Sequence, residues 1–287
     1  MTTVDIAIDA GADLGEGPLW DARRARLLWL DITRHQIHEF DPATGQDRTR
    51  DVGQPVGAVG LRRQGGLIGA LRDGFARIDE TGGCTFVASV ESENAETRMN
   101  DGKVDPSGRF WAGTMALDSS PGAGSLYRLA ASGRAERVLT RLTISNGMDW
   151  SADRRLMYFI DSVRRTVDVF DYDDPSGAIS GRRPLCEVTE GLPDGMTLDA
   201  EGQLWVAVWG GGCVLRYSAA GALTGRMTIP VSQVTSCAFG GTDLRDLYVT
   251  TASRGLTPDQ RAREPHAGAL FVCRPGPSGV RPHEYLG

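Results

Sequence analysis

Six short β-rich runs recur along the chain at nearly constant intervals: "RLLWLD", "GLIGAL", "RFWAGT", "LMYFID", "QLWVAV" and "DLYVTT". Their bulky reference residues are Trp29, Ile68, Trp111, Tyr158, Trp205 and Tyr248, separated by 39, 43, 47, 47 and 43 residues. Self-similarity at such a period marks a repeat architecture. Each run is followed by a turn and a second strand: "HQIHEFD", "GFARIDE", "GSLYRLA", "TVDVFDY", "GCVLRYS" and "GALFVCR". Gly- or Asp-rich punctuation such as "DPATG", "ETGG", "DDPSG" and "SAAG" then closes the unit. Helical periodicity is almost absent, and "PDQRARE" reads as one short helical turn. Glycine numbers 37 of 287 residues without any low-complexity run, as expected of a chain with many turns.

The pattern predicts an all-β fold: a six-bladed β-propeller of four-stranded antiparallel blades, spanning residues 1–287 as one domain. A β-sandwich would not produce six similar steps. A lone four-stranded sheet leaves its faces bare, and stacking six in a ring buries them against neighbours. The early strand "VDIAIDA" precedes the first repeat and belongs to no complete blade. It is expected to pair into the last blade, whose other strands come from the C-terminus.

The repeats also share a register. "EGPLWD", "NDGKVD", "NGMDWS" and "DGMTLD" each end in an Asp or Ser five residues after their first residue: Asp21, Asp105, Ser151 and Asp199. Aligned on those turns, Glu16, Asn100, Asn146 and Asp194 occupy one position in four blades. Val56 and Cys237 fall near it in the other two. The innermost strands of a propeller line its channel, so these positions face one another across the axis. Four oxygen-bearing side chains at one level suit a hard or borderline cation such as Ca²⁺, Mn²⁺, Mg²⁺ or Zn²⁺. Taken singly, E-G, N-G and D-G are ordinary turn dipeptides; the shared register argues for a central metal site.

The motifs "LGEGPLWD", "RMNDGKVDPSGRFWAGTM", "ISNGMDWSADRRLMYFIDS", "LPDGMTLDAEGQLWVAVWGGG" and "TSCAFGGTDLRDLYVTTA" resemble the gluconolactonase, regucalcin (senescence marker protein) and luciferin-regenerating enzyme family. The likeness runs from about residue 14 to the C-terminus. It implies a six-bladed propeller with one divalent metal cation in its channel. It also implies metal ligands at Glu16, Asn146 and Asp194 and substrate contacts at Arg98 and Asn100. A further acidic contact, usually Glu in the regucalcin branch, corresponds to Asp118, which is one methylene shorter.

Members of this family hydrolyse sugar lactones, and the residues suit that chemistry. A cation polarises the carbonyl, Asp194 is the candidate general base, and Arg98 offers a planar fork of donors for hydroxyl groups. The expected substrate is a small-molecule sugar lactone, an aldonolactone such as gluconolactone. The alternatives are organophosphate esters or non-sugar lactones on the same site, or a non-enzymatic calcium-binding regulator. Met99 should turn away from the channel into the core by strand alternation. Asp101 has two readings, a turn cap or a group beside the metal. The segment Ala116–Ser125 reads either as a lid or as a plain flexible loop.

Several classes are disfavoured. With a net charge of −6 and no Lys/Arg cluster, no nucleic-acid partner is expected. No apolar run approaches membrane-spanning length and no leader peptide is evident, so no membrane association and a cytoplasmic location are expected. Five widely spaced cysteines without a CxxC suggest reduced thiols. There is no GxSxG elbow and no HExxH helix. His35 and His38 are expected on an exposed blade face, and "GGGC" as a hairpin turn. A propeller closes its own edges, which makes a monomer the default expectation.

Overall fold

A computed structural model describes residues 3–287. Six four-stranded antiparallel sheets follow one another around a central axis. Their innermost strands are Gly15–Asp21, Val56–Leu61, Thr97–Val104, Ser145–Trp150, Leu192–Leu198 and Val234–Gly240, and each contacts the innermost strands of its two neighbours. These define blades 1 to 6. The second strand of each blade carries the bulky reference residues, which are almost wholly buried. The outermost strands are largely solvated, as in Gln46–Asp51. Hydrophobic side chains from adjacent sheets meet between blades, so the core is a ring of six clusters and not a single centre.

In blade 6, Val4–Ile8 pairs antiparallel with Leu270–Cys273 outside the strands Val234–Gly240 and Asp246–Thr251. The ring is thus fastened by hydrogen bonds between the two ends of the chain. A second fastening runs beneath it. Ser278 to Gly287 crosses the face that carries the turns after the innermost strands. It is bridged to blade 5 at Asp199–Gly279 and to blade 2 at Arg62–Tyr285. Leu286 N–H donates to Gly108 O and Tyr285 Oη to Ala130 O, which secures the far end on blade 3. Tyr285 is 1% exposed and packs into the core between blades 2 and 3.

The turns that set the repeat are held by their Asp. In blade 3, Asp105 accepts from Arg109 Nε, Trp111 Nε1 and Tyr172 Oη through one carboxylate oxygen. In blade 5, Asp199 accepts from Trp205 Nε1 and Arg216 Nη2 in the same manner. Pro258–Arg263 forms the one α-helix among the described residues, started by a capping box between Thr257 and Gln260. All five cysteines are free thiols. Among the described residues no helix is long and apolar enough to cross a membrane. His38 departs from expectation: it is buried against the face of Trp29 at 3.8 Å, and its Nδ1 meets Asp47 Oδ2 at 2.5 Å.

Candidate functional site

Every innermost strand carries one residue too many for its neighbour. In blade 3, Met99 pairs with Thr114 and Gly102 with Ala112, so Asn100 and Asp101 face Gly113 alone. Blades 4 and 5 bulge in the same way at Asn146–Gly147 and Asp194–Gly195, and blade 1 just after Glu16. Bulges of this kind re-aim side chains at functional sites. Here they place Glu16, Asn100, Asn146 and Asp194 at one level of the channel. In blades 2 and 6 the unpaired residues are Gly57 and Thr235, not Val56 and Cys237. Gly57 has a steric reason: a Cβ there would lie 2.5 Å from Asn100 O. Thr235 uses its hydroxyl as a lock, donating to Gly15 O of blade 1 at 2.6 Å.

Within this ring the polar groups divide into two kinds. Asn100 is partly engaged by the protein, with one N–H and one lone pair left over: its Nδ2 donates to Ser145 O at 2.9 Å and its Oδ1 accepts from Arg98 Nη1 at 2.8 Å. Arg98 Nη1 also donates to Met99 O, while Met99 itself turns into the core. By contrast, Asn146 Oδ1 and Asp194 Oδ1 are buried acceptors without any partner. Unpaired buried acceptors are costly and rare. Glu16 receives only the neighbouring Gly17 N–H at 3.1 Å, and Asp101 only Gly102 N–H at 2.6 Å.

The electrostatics follow from that shortage of donors. Burial, then the charges of Asp194 and Asp101, push the Glu16 carboxyl well above its ordinary range. Burial and Asp101 do the same to Asp194. Asp101 is raised to about 6, again chiefly by burial. Arg98 is lowered to about 10 by burial, against the pull of Glu16. Three carboxyls and one guanidinium therefore share a small volume. Among the described residues no three His, Cys, Asp or Glu side chains form a ready metal cluster. The donor set mixes two carboxylates, Glu16 and Asp194, with the amide oxygen of Asn146. Hard oxygen donors with two unpaired lone-pair bearers fit a divalent cation.

The family model described as SMP-30/Gluconolactonase/LRE-like region matches residues 14–253. The chain belongs to the SMP-30/gluconolactonase/LRE-like family. Regucalcin of Oryctolagus cuniculus is 37% identical over 294 residues, covering 99% of this chain and 98% of the relative. A solved luciferin-regenerating enzyme shares 32% identity with a TM-score of 0.93, covering 100% of both chains. The calcium-binding protein regucalcin of Agrobacterium tumefaciens shares 30% identity with a TM-score of 0.96, covering 100% of this chain and 98% of that one.

Asp118 stands apart from the ring of this SMP-30/gluconolactonase/LRE-like chain. It is exposed, and its oxygens accept from Ser120 N–H at 2.9 Å and Ser120 Oγ at 2.7 Å, which lowers its pKa. The surrounding loop is tied down by Leu117 N–H to Glu96 O and Gly122 N–H to Thr143 Oγ1. Asp101 resolves toward the ring. Its signal was its place beside Asn100, but only the bulge brings both side chains inward. Lys103 was also passed over, although it lies two residues beyond Asp101 on the same strand.

Proposed function

We propose that the protein is a metal-dependent hydrolase that opens sugar lactones, aldonolactones such as gluconolactone, to the free hydroxy acids. The observation that carries this reading is the pair of buried, unpartnered oxygens, Asn146 Oδ1 and Asp194 Oδ1, beside the Glu16 carboxylate and the Arg98 guanidinium. Glu16, Asn146 and Asp194 would hold the divalent cation. When bound, the cation supplies Lewis acidity toward the lactone carbonyl.

The protein's own groups supply the remainder. Arg98 has one nitrogen fixed by Met99 O and Asn100 Oδ1, so its fork is pre-aimed and its other donors can orient ring and hydroxyl oxygens of a polyol. Asn100 holds Arg98 in place and keeps one amide N–H and one lone pair for a substrate hydroxyl. Asp194 is the proposed general base. It takes a proton from water as the new C–O bond forms, and the proton passes to the ring oxygen as the ester C–O bond breaks. Its raised pKa describes the site without a cation; a nearby positive charge favours the carboxylate. Asp118, exposed on the loop beyond Ala116, contributes a substrate contact at the rim.

A second reading, non-sugar lactones or organophosphate esters, draws on the exposed Leu117 and Val163, 56% and 45% accessible, on loops beyond the ring end of the channel. The calcium-binding regulator reading predicts binding without turnover. The test is metal removal by chelation, single add-back of Ca²⁺, Mn²⁺, Mg²⁺ and Zn²⁺, and acid release from a panel of aldonolactones, non-sugar lactones and phosphotriesters. Turnover of aldonolactones that is lost with the metal and lost in Asp194→Ala supports the proposal. Absence of turnover with every metal overturns it.

A further inference from the structure

Arg254 stands at the mouth of the channel on the side of blade 6, across the ring from blade 3, which supplies Arg98. Its place is fixed by the backbone. Leu14, two residues before Glu16, is bridged to Ala252 at the end of blade 6. From there the chain turns over the rim. Ser253 N–H and Oγ donate to Ala12 O at 3.2 and 2.9 Å, and Arg254 N–H donates to Asp13 O at 2.9 Å. Leu256 N–H then reaches back to Ser253 O, with Gly255 at φ +73°, a left-handed conformation that suits glycine. Arg254 is therefore at the tip of a pinned turn.

The donors of this turn are only partly used. Arg254 Nη1 meets Asp13 Oδ2 at 3.1 Å, and the rest of its side chain, 56% exposed, is open to a guest. Asp13 Oδ2 is itself shared, since it also receives Thr33 Oγ1 at 2.6 Å. Arg261, from the helix Pro258–Arg263, brings a second guanidinium to the same turn. Its Nη2 donates to Ser253 O at 2.8 Å, a carbonyl and not a carboxylate. Glu264 turns away to Ser232, accepting from its N–H and Oγ at 2.7 and 2.8 Å. The turn thus carries two guanidinium groups and one ion-paired carboxylate, Asp13.

Arg98 lies deeper and senses this charge. Burial holds it down to about 10 against the pull of Glu16, and the Arg254 charge adds to the lowering. Inside the ring, Arg98 and a divalent cation would together offset the carboxylates of Glu16, Asp101 and Asp194. Arg254 is the cation left over, farther out. A lactone with its carbonyl at the ring turns its far end outward, past Arg98 to the rim. A primary alcohol at that end calls for no cation. A carboxylate does, and its two oxygens match a guanidinium fork. Asp118 belongs to the blade 3 side of the rim, opposite this turn.

We propose that the site takes sugar lactones that carry a carboxylate at the end remote from the lactone carbonyl, and that Arg254 receives that carboxylate with Arg261 in support. The inference rests on the lactonase reading and narrows its substrate class.

The test compares two lactones of one ring size, D-glucono-1,4-lactone and D-glucaro-1,4-lactone, on the metal-loaded protein, reading kcat and KM separately. Calorimetric titration with gluconate, glucarate and 6-phosphogluconate accompanies it. The expected result is a KM about tenfold lower for the glucarolactone. Glucarate should bind about tenfold more tightly than gluconate, and more tightly than 6-phosphogluconate. Arg254→Gln should remove about tenfold of this preference, the worth of one hydrogen bond to a charged group, and Arg254→Lys should restore part of it. Rising ionic strength should erode the preference. Equal KM values for the two lactones, equal binding of gluconate and glucarate, tighter binding of 6-phosphogluconate, or a preference that survives in Arg254→Gln would overturn the inference. Failure of the lactonase reading looks different: neither lactone is opened with any metal, while glucarate binding still depends on Arg254.

Discussion

Asn146 Nδ2 donates to Ser162 Oγ at 2.9 Å, and that single bond decides which end of the amide faces the channel. With the nitrogen parked on Ser162, Oδ1 is presented toward the ring with no other partner. Ser162→Ala should free the amide to rotate. A drop of about tenfold in divalent-cation affinity is expected, the size seen when groups that orient metal ligands are removed. Titration with Ca²⁺ measures it, and an unchanged affinity would separate Asn146 from the metal.

Asp101 gives the site a signature in stability against pH. In the metal-free protein burial raises its folded-state pKa to about 6, above the ordinary carboxyl value of the unfolded chain. The folded state then holds a proton that the unfolded chain has already released. The associated stability is complete below about pH 4 and lost as pH rises through about 6. Asp101→Asn fixes the neutral form. It should match the parent protein at pH 4 and exceed it at pH 8, by on the order of 3 kcal/mol. Thermal melts of the chelated proteins at both pH values check the sign.

The buried Asp105 carboxylate holds Arg109, Trp111 and Tyr172 together across blades 3 and 4. Asp105→Ala leaves the Arg109 charge without its main partner, with two aromatic donors unpaired. A loss of about 3–5 kcal/mol is expected in urea unfolding. Arg134→Ala, whose side chain is 77% exposed, should change stability by less than about 0.5 kcal/mol.

Tyr285 separates packing from hydrogen bonding in the crossing segment. Tyr285→Phe removes the bond to Ala130 O and should cost about 1 kcal/mol. Tyr285→Ala also empties a fully buried aromatic site and should cost about 3–5 kcal/mol. If both variants lost equally little in denaturant unfolding, the segment would not be part of the cooperative fold.

The blade count was legible because each second strand buries a bulky residue, which sequence spacing records directly. Four of the six ring positions were legible because Asp21, Asp105, Ser151 and Asp199 mark the turn five residues on. Blades 2 and 6 have Arg62 and Gly240 at that turn, so the anchor was missing and Gly57 and Thr235 were displaced by one and two residues. The bulges themselves leave no mark in composition, yet they break the two-residue alternation that would assign side chains to faces. Hence Asp101 stayed ambiguous. Asp118 rests on the family resemblance alone, and its carboxylate accepts from Ser120 on the loop. His38 was misread because a polar strand residue can be buried when an acid on the adjacent strand, Asp47, receives it.

Blades 5 and 2 lie opposite each other in a ring of six, and the bridges at Asp199–Gly279 and Arg62–Tyr285 join them beneath the channel. The last ten residues thus act as a chord across a hoop. Tension applied at the C-terminal end is met first by the Leu286 bond to Gly108, then by Tyr285 and its bridge to blade 2 and by Gly279, before it reaches Leu270–Cys273 and the seam with Val4–Ile8. The joint between the chain ends is therefore shielded from load by a separate tie, and the circumference keeps its shape even where one edge begins to part.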